Sequence, residues 1–94
     1  MPGRVIFRVH AIRRMFERGI GVDEAVQAIA AGETIESYPE DTPFPSRLIL
    51  AWVGGDPLHV VIADNQADGE TIVITAYRPE PGVWDAGFRK RGKS

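Results

Sequence analysis

The 94-residue chain contains no cysteine. Disulfides, thiolate metal sites and cysteine nucleophiles are therefore excluded. Its only histidines are His10 and His59, and without cysteine they leave no ordinary ligand set for structural zinc. No apolar run approaches the roughly 20 residues that span a bilayer. The opening Met1-Pro2-Gly3-Arg4 lacks the apolar stretch of a secretory signal. A cytoplasmic location without membrane attachment is the expectation. Internal repeats and low-complexity tracts are missing as well. What remains, 44% hydrophobic and 26% charged residues, is ordinary globular composition for one domain over residues 1–94.

The net charge of -2 is also small, but its distribution is uneven. Arg4, Arg8, Arg13, Arg14 and Arg18 precede residue 19 against Glu17 alone. Asp23, Glu24, Glu33, Glu36, Glu40 and Asp41 then follow without a base before Arg47. Arg89, Lys90, Arg91 and Lys93 return positive charge to the end. A general nucleic-acid coat protein is basic overall, and this chain is not. A local basic patch for a phosphate remains open, as does a plain solvated helix face.

Periodicity predicts two helices. In 9–18, Val9, Ile12 and Phe16 fall at i, i+3 and i+7 with Met15 beside them, and Gly19 is a plausible stop. In 22–31, Val22, Ala25, Val26 and Ile29 form an apolar stripe, with Asp23 and Glu24 in the first turn and Gly32 at the end. The period then becomes strand-like at 34–37, 47–53, 58–63 and 71–77. Pro39, Pro43 and Pro45 make the intervening 38–45 an irregular loop. Short turn-rich connections at 54–57 and 64–69 predict hairpins. The expected fold is α+β: two N-terminal helices packed on a four-stranded antiparallel sheet, with the core at about 5–85. The basic tail 86–94 is expected to fray, although Trp84 and Phe88 are suited to docking on the domain. Leu58, Val60 and Ile62 alternate with His59, Val61 and Ala63, so the sheet needs cover on both faces, from the tail or from a partner protein.

Several residues could carry chemistry. His10, Arg14 and Arg18 recur at i, i+4 and i+8 on one stripe of the first helix, with Arg13 adjacent. A histidine moves protons near neutral pH and an arginine fork matches a phosphate. The same residues also read as a helix start and surface partners for the acidic segment. His59 could be a hydrogen-bonded core residue, a ligand or a base. Period two groups Val73, Thr75 and Tyr77 on one strand face. The loop brings Tyr38, Asp41, Ser46 and Arg47 together, but Ser46 has no Gly-x-Ser-x-Gly setting. The acidic spacing fits no metal loop, and Gly54-Gly55 reads as a turn rather than a phosphate loop.

The run His10-Ala11-Ile12-Arg13-Arg14-Met15-Phe16-Glu17-Arg18-Gly19-Ile20 resembles the His-Ala-x-x-Arg-Met-x-x-Arg-Gly-Ile opening of a small bacterial family, the domain of unknown function numbered 4258. The likeness continues through Gly32–Glu36, Tyr38–Asp41, Pro45–Arg47, Pro57–Val61 and Thr71–Tyr77. The family is in turn similar to the RelE, ParE and MqsR toxins. That resemblance implies a toxin-like ribonuclease with metal-independent acid/base chemistry and no cofactor. Its partners would be RNA and an antitoxin protein, a small zinc-finger antitoxin of the MqsA kind being one form. The family's polar motif positions fall on His10, Arg14, Arg18, His59 and Tyr77. We read these as the expected catalytic set, with Arg13, Arg47, Thr75 and Arg78 as expected substrate-binding residues. Two departures stand out: the chain is acidic overall, and Gly21 occupies the start of the second helix, where the family often has Ser or Thr. The alternative expectation is a non-catalytic toxin-fold module that grips a protein.

Overall fold

A computed structural model describes residues 3–90. Its elements run β1 (Arg4–Phe7), α1 (Val9–Glu17), α2 (Val22–Ala31), β2 (Glu33–Tyr38), β3 (Ser46–Val53), β4 (Asp56–Asn65) and β5 (Glu70–Tyr77). The α+β class and the two helices agree with the sequence pattern. The sheet does not: it has five strands in the order β1-β5-β4-β3-β2. β1 lies parallel to β5, and only the other pairings are antiparallel. The expected four-stranded antiparallel sheet is thus corrected to a five-stranded mixed one. Arg4–Phe7 is too short to show an alternation, and Arg8 alone joins it to α1.

Alternation along β4 builds two layers. Leu58, Val60 and Ile62 face the helices and pack with Ala11 and Met15 of α1 and Ala25 and Ala28 of α2. Ile49 and Ala51 of β3 and Val73 and Ala76 of β5 complete that core. The helical faces differ from the expected stripes. Ala11 and Met15 are buried, whereas Val9, Ile12, Phe16, Val22 and Val26 are exposed. Small side chains at the contact let the helices approach the sheet closely, and the larger apolar residues stay outside.

β5 also departs from simple period two. Thr75 pairs with Val61 and Val73 with Ile62, so Ile74 is the extra residue of a bulge. Val73 therefore faces the helices while Thr75 and Tyr77 share the register face of Val61 and His59. The hairpin between β3 and β4 is tighter than its sequence implied. It is closed by Gly54-Gly55 alone, both at positive φ, and Asp56 and Pro57 belong to β4.

The end of α1 sets the position of Arg18. The Ile20 N–H donates to Met15 O at 2.8 Å and the Gly19 N–H to Phe16 O at 3.2 Å. Gly19 sits at φ 70°, and Ile20 and Met15 are both buried. This is a Schellman cap with its hydrophobic contact. It stops the helix with Arg18 directed at β5.

The tail crosses the second sheet face. Trp84 is buried, the Phe88 ring meets Trp52 edge-on at 5.8 Å, and Arg89 is ion-paired with Glu33. Residues 86–90, expected to fray, are held in this way; 91–94 lie outside the described residues.

Gly32, after α2, has no room for a side chain. An added Cβ would lie 2.5 Å from Ala28 O, 2.5 Å from Ile49 Cγ2 and 2.7 Å from Leu50 O. Gly32→Ala is expected to lower stability by about 1–3 kcal/mol through overpacking. Urea unfolding checks this, and an unchanged midpoint would show that the α2–β2 junction can relax.

Candidate functional site

His59 is the buried polar centre of the tail-covered face. It stands on β4 opposite Leu50 on β3 and Tyr77 on β5, and its exposure is 0%. Its Nε2 is 2.9 Å from the Phe88 carbonyl oxygen and its Nδ1 is 3.2 Å from the Tyr77 hydroxyl. A carbonyl only accepts, so Nε2 carries the hydrogen. In the neutral ring, Nδ1 then accepts from Tyr77. Trp84 closes the third side, its ring edge-on to the imidazole at 4.3 Å. The histidine therefore holds β5, β4 and the tail together, and its ring is shut off from solvent.

Outside this cluster lies a cleft of about 540 Å³ lined by Arg18, Tyr77, Arg78, Glu80, Val83 and Trp84. β1 pairs with β5 only as far as Val73. Beyond that point Arg18 approaches the strand in place of a neighbour. Its Nη1 donates to Ala76 O at 2.9 Å and to Thr75 Oγ1 at 3.3 Å. Arg78 follows Tyr77 directly and pairs with Glu24 of α2 at 3.1 Å. Trp84 reaches the cleft because the tail turns at 80–84, where the Val83 and Trp84 N–H groups both donate to Glu80 O at 3.0 Å.

Glu24 ties the second helix to this wall. Gly21 has no side chain to cap α2, but Glu24 Oε1 reaches back and accepts from the Gly21 N–H at 2.9 Å. That backbone hydrogen bond, and then Arg78, hold the Glu24 carboxyl below its ordinary 4.5.

The nine expected site residues fall in three places. Arg18, Tyr77 and Arg78 meet at the cleft, with Thr75 bonded to Arg18 and His59 behind Tyr77. His10, Arg13 and Arg14 are exposed on α1 and do not line it. Among the described residues, nothing forms a hydrogen bond or ion pair with their side chains. Arg47 lies elsewhere, bonded to Asp64 at 2.9 Å and Thr34 at 2.8 Å. Glu80 and Glu24 escaped the sequence reading because neither sits in a recognisable motif. The only signal was Pro79-Glu80-Pro81-Gly82, a turn-forming run next to Tyr77-Arg78. Among the described residues no group of three or more His, Asp or Glu could hold a metal ion. No helix among them is long and apolar enough to cross a membrane.

The chain matches the family described as Domain of unknown function (DUF4258) over residues 7–78. It belongs to that family. The match takes in α1, α2 and β2–β5 with Arg78, so Arg18, His59 and Tyr77 lie within the DUF4258 region. Glu80, Trp84 and Phe88, which close the cleft and clasp His59, follow it. No curated protein and no solved structure matches the chain significantly.

Two expectations follow. His59→Ala removes both ring contacts and leaves a cavity, which is expected to cost about 2–5 kcal/mol. It should also release the tail, seen as red-shifted tryptophan emission and faster trypsin cleavage at Arg89 or Lys90. Unchanged emission would mean that Trp84 docks without the histidine. Glu24 gives a pH dependence. A carboxyl whose folded pKa is lowered contributes stability above its unfolded value, and that contribution is lost as pH falls through the folded value. Wild type should therefore exceed Glu24→Gln in urea midpoint at neutral pH, with the gap closing as pH falls below the ordinary carboxylate value of 4.5. A gap independent of pH would assign the effect to geometry alone.

Proposed function

We propose that the cleft binds an RNA phosphodiester and that the protein is a metal-independent, toxin-like ribonuclease, held in check by an antitoxin protein. The observation that supports this best is the convergence of Arg18, Arg78 and Tyr77 on one cleft that also carries a carboxylate, Glu80. Two guanidinium groups suit the charge that grows on phosphate oxygens in the transition state. Glu80 is the general base that takes the proton of the 2′-hydroxyl as that oxygen attacks the adjacent phosphorus. The Tyr77 hydroxyl, whose hydrogen is directed at His59, places its oxygen and ring against the bound phosphodiester, and the departing 5′-oxygen takes its proton from water. The products are a 2′,3′-cyclic phosphate and a free 5′-hydroxyl.

Burial changes the role assigned to His59. With both ring nitrogens engaged it reaches no substrate, so it is a positioning residue that acts through Tyr77. His10 stands eight positions before Arg18 on α1, about 12 Å along the helix axis. In this reading it meets the flanking strand of RNA with Arg14, not the reacting phosphate. The alternative, a non-catalytic protein-binding module, loses its first support because the tail covers the second sheet face. It draws instead on the outer surface of α1.

The test is cleavage of RNA by the purified protein in EDTA, with and without ribosomes. Mapped 2′,3′-cyclic ends are expected, and DNA should be untouched because it lacks the nucleophile. Glu80→Gln should lower the rate about 10²–10⁴-fold, and Arg18→Ala about 10²–10³-fold. His10→Ala should weaken binding with the bond-breaking step retained. A folded protein that leaves RNA intact in both settings would end this reading and favour the binding module.

A further inference from the structure

The outer row of α1 is unusual for a solvated helix face, which ordinarily carries charged and polar residues. Val9 is 72% exposed, Ile12 40% and Phe16 86%. Their i, i+3, i+7 spacing places them in one line. Single exposed apolar residues need no explanation, but an aligned row does. The row is bordered by arginines. Arg8, the N-cap residue, lies one turn before Ile12, whose N–H donates to its carbonyl at 3.0 Å. Arg13 lies one turn from both Val9 and Phe16 on the opposite side.

These arginines are unlike the others among the described residues. Arg4 pairs with Glu70, Arg47 with Asp64, Arg78 with Glu24 and Arg89 with Glu33. Arg18 donates to β5. Among the described residues, no carboxylate pairs with Arg8, Arg13 or Arg14, although the chain holds 13 acidic against 11 basic residues. Acid is in surplus, yet Glu17, the one carboxylate on this helix, is paired with none of the three. The row thus lacks an apolar cover, and the arginines that border it lack carboxylate partners among the described residues.

We propose that the Val9–Ile12–Phe16 row of α1 is a docking surface for an acidic amphipathic segment of a partner protein. Such a segment lays its apolar residues along the row and its Asp and Glu side chains against Arg8 and Arg13. An anionic bilayer is the poorer fit. Glu17 on α1 and Asp23 on α2 are exposed on the helix layer, where a broad anionic surface would meet them as well as the arginines, whereas a single segment laid along the row need not. The surface is separate from the cleft, so this inference stands whether or not RNA is cleaved.

The experiment pans a phage-displayed library of random helical peptides on the purified full chain. Selected peptides should combine an apolar i, i+3, i+7 row with flanking Asp and Glu. Their affinity should fall at least about tenfold on Phe16→Ser and on Arg13→Glu, and stay unchanged on Tyr77→Phe. Because both α1 side chains are exposed, thermal unfolding of these variants should match wild type. Selection of basic or uncharged peptides, or binding that ignores Phe16→Ser, would overturn the proposal. So would dimerisation abolished by Phe16→Ser, which would make a second copy the occupant. Co-sedimentation with phosphatidylglycerol vesicles lost in the same variant would assign the row to lipid. RNA cleavage by Phe16→Ser reports separately on the cleft.

Discussion

β4 is buried on both faces, and the rest of the fold follows from that constraint. A strand so placed must find apolar cover on each side and a partner for every polar atom it brings inside. On one side Leu58, Val60 and Ile62 are covered by two helices whose contact residues are mostly alanine. On the other, His59 brings two ring nitrogens into the interior. The Tyr77 hydroxyl and the Phe88 carbonyl meet them, and no buried side-chain polar atom among the described residues is left without a partner. The tail is thus part of the core: it supplies both the Trp84 ring and the carbonyl that the histidine needs.

The cleft arises where two incomplete elements meet. β1 stops pairing at Val73, which leaves the end of β5 without a neighbouring strand. The Schellman cap ends α1 at the right place for Arg18 to donate to the Ala76 carbonyl. A backbone group that a sixth strand or water would otherwise satisfy is bonded to a cation instead. The tail then turns at Glu80 and returns over His59, which forms the second wall. Tyr77 joins the two regions, since its ring lines the cleft and its hydroxyl contacts the buried imidazole. A change at His59 therefore reaches the cleft through Tyr77 and Trp84 together.

Much of this was legible in the sequence, and the misses share a physical origin. Helix positions, strand order after α2 and the need for a cover on the second face follow from periodicity and from the two-sided apolar character of residues 58–63. The docking of Trp84 and Phe88 follows from the same need. β1 was missed because four residues pair through backbone groups that no side-chain pattern encodes. The common face assigned to Val73, Thr75 and Tyr77 failed because one bulge at Ile74 shifts every later residue to the other side. The buried face of α1 was misjudged because size was taken as a guide to burial. Close packing on the sheet instead favours Ala11, with Met15 as the adaptable filler. Of the expected site residues, those near the end of β5 converge through tertiary contacts. The His10, Arg13 and Arg14 positions share only a helix with Arg18, and helical spacing cannot say which way the helix is turned.

That rotation of α1 links the two surfaces. Burying Ala11 and Met15 fixes the helix about its axis, and every other position follows from 3.6 residues per turn. Arg18 is carried to the edge of β5, and Val9, Ile12 and Phe16 are carried to solvent. Rotating the helix to bury the larger residues would gain apolar area at roughly 25 cal/mol per Å². It would also withdraw Arg18 from Ala76 and thrust bulky side chains into a contact sized for alanine. The exposed row is thus bound to the same geometry that builds the cleft, and one helix presents a cationic end and an apolar side at once. By the same turn of 3.6 residues, Arg18 and the row lie on nearly opposite sides of the helix, so a partner that covered the row would leave the cleft open.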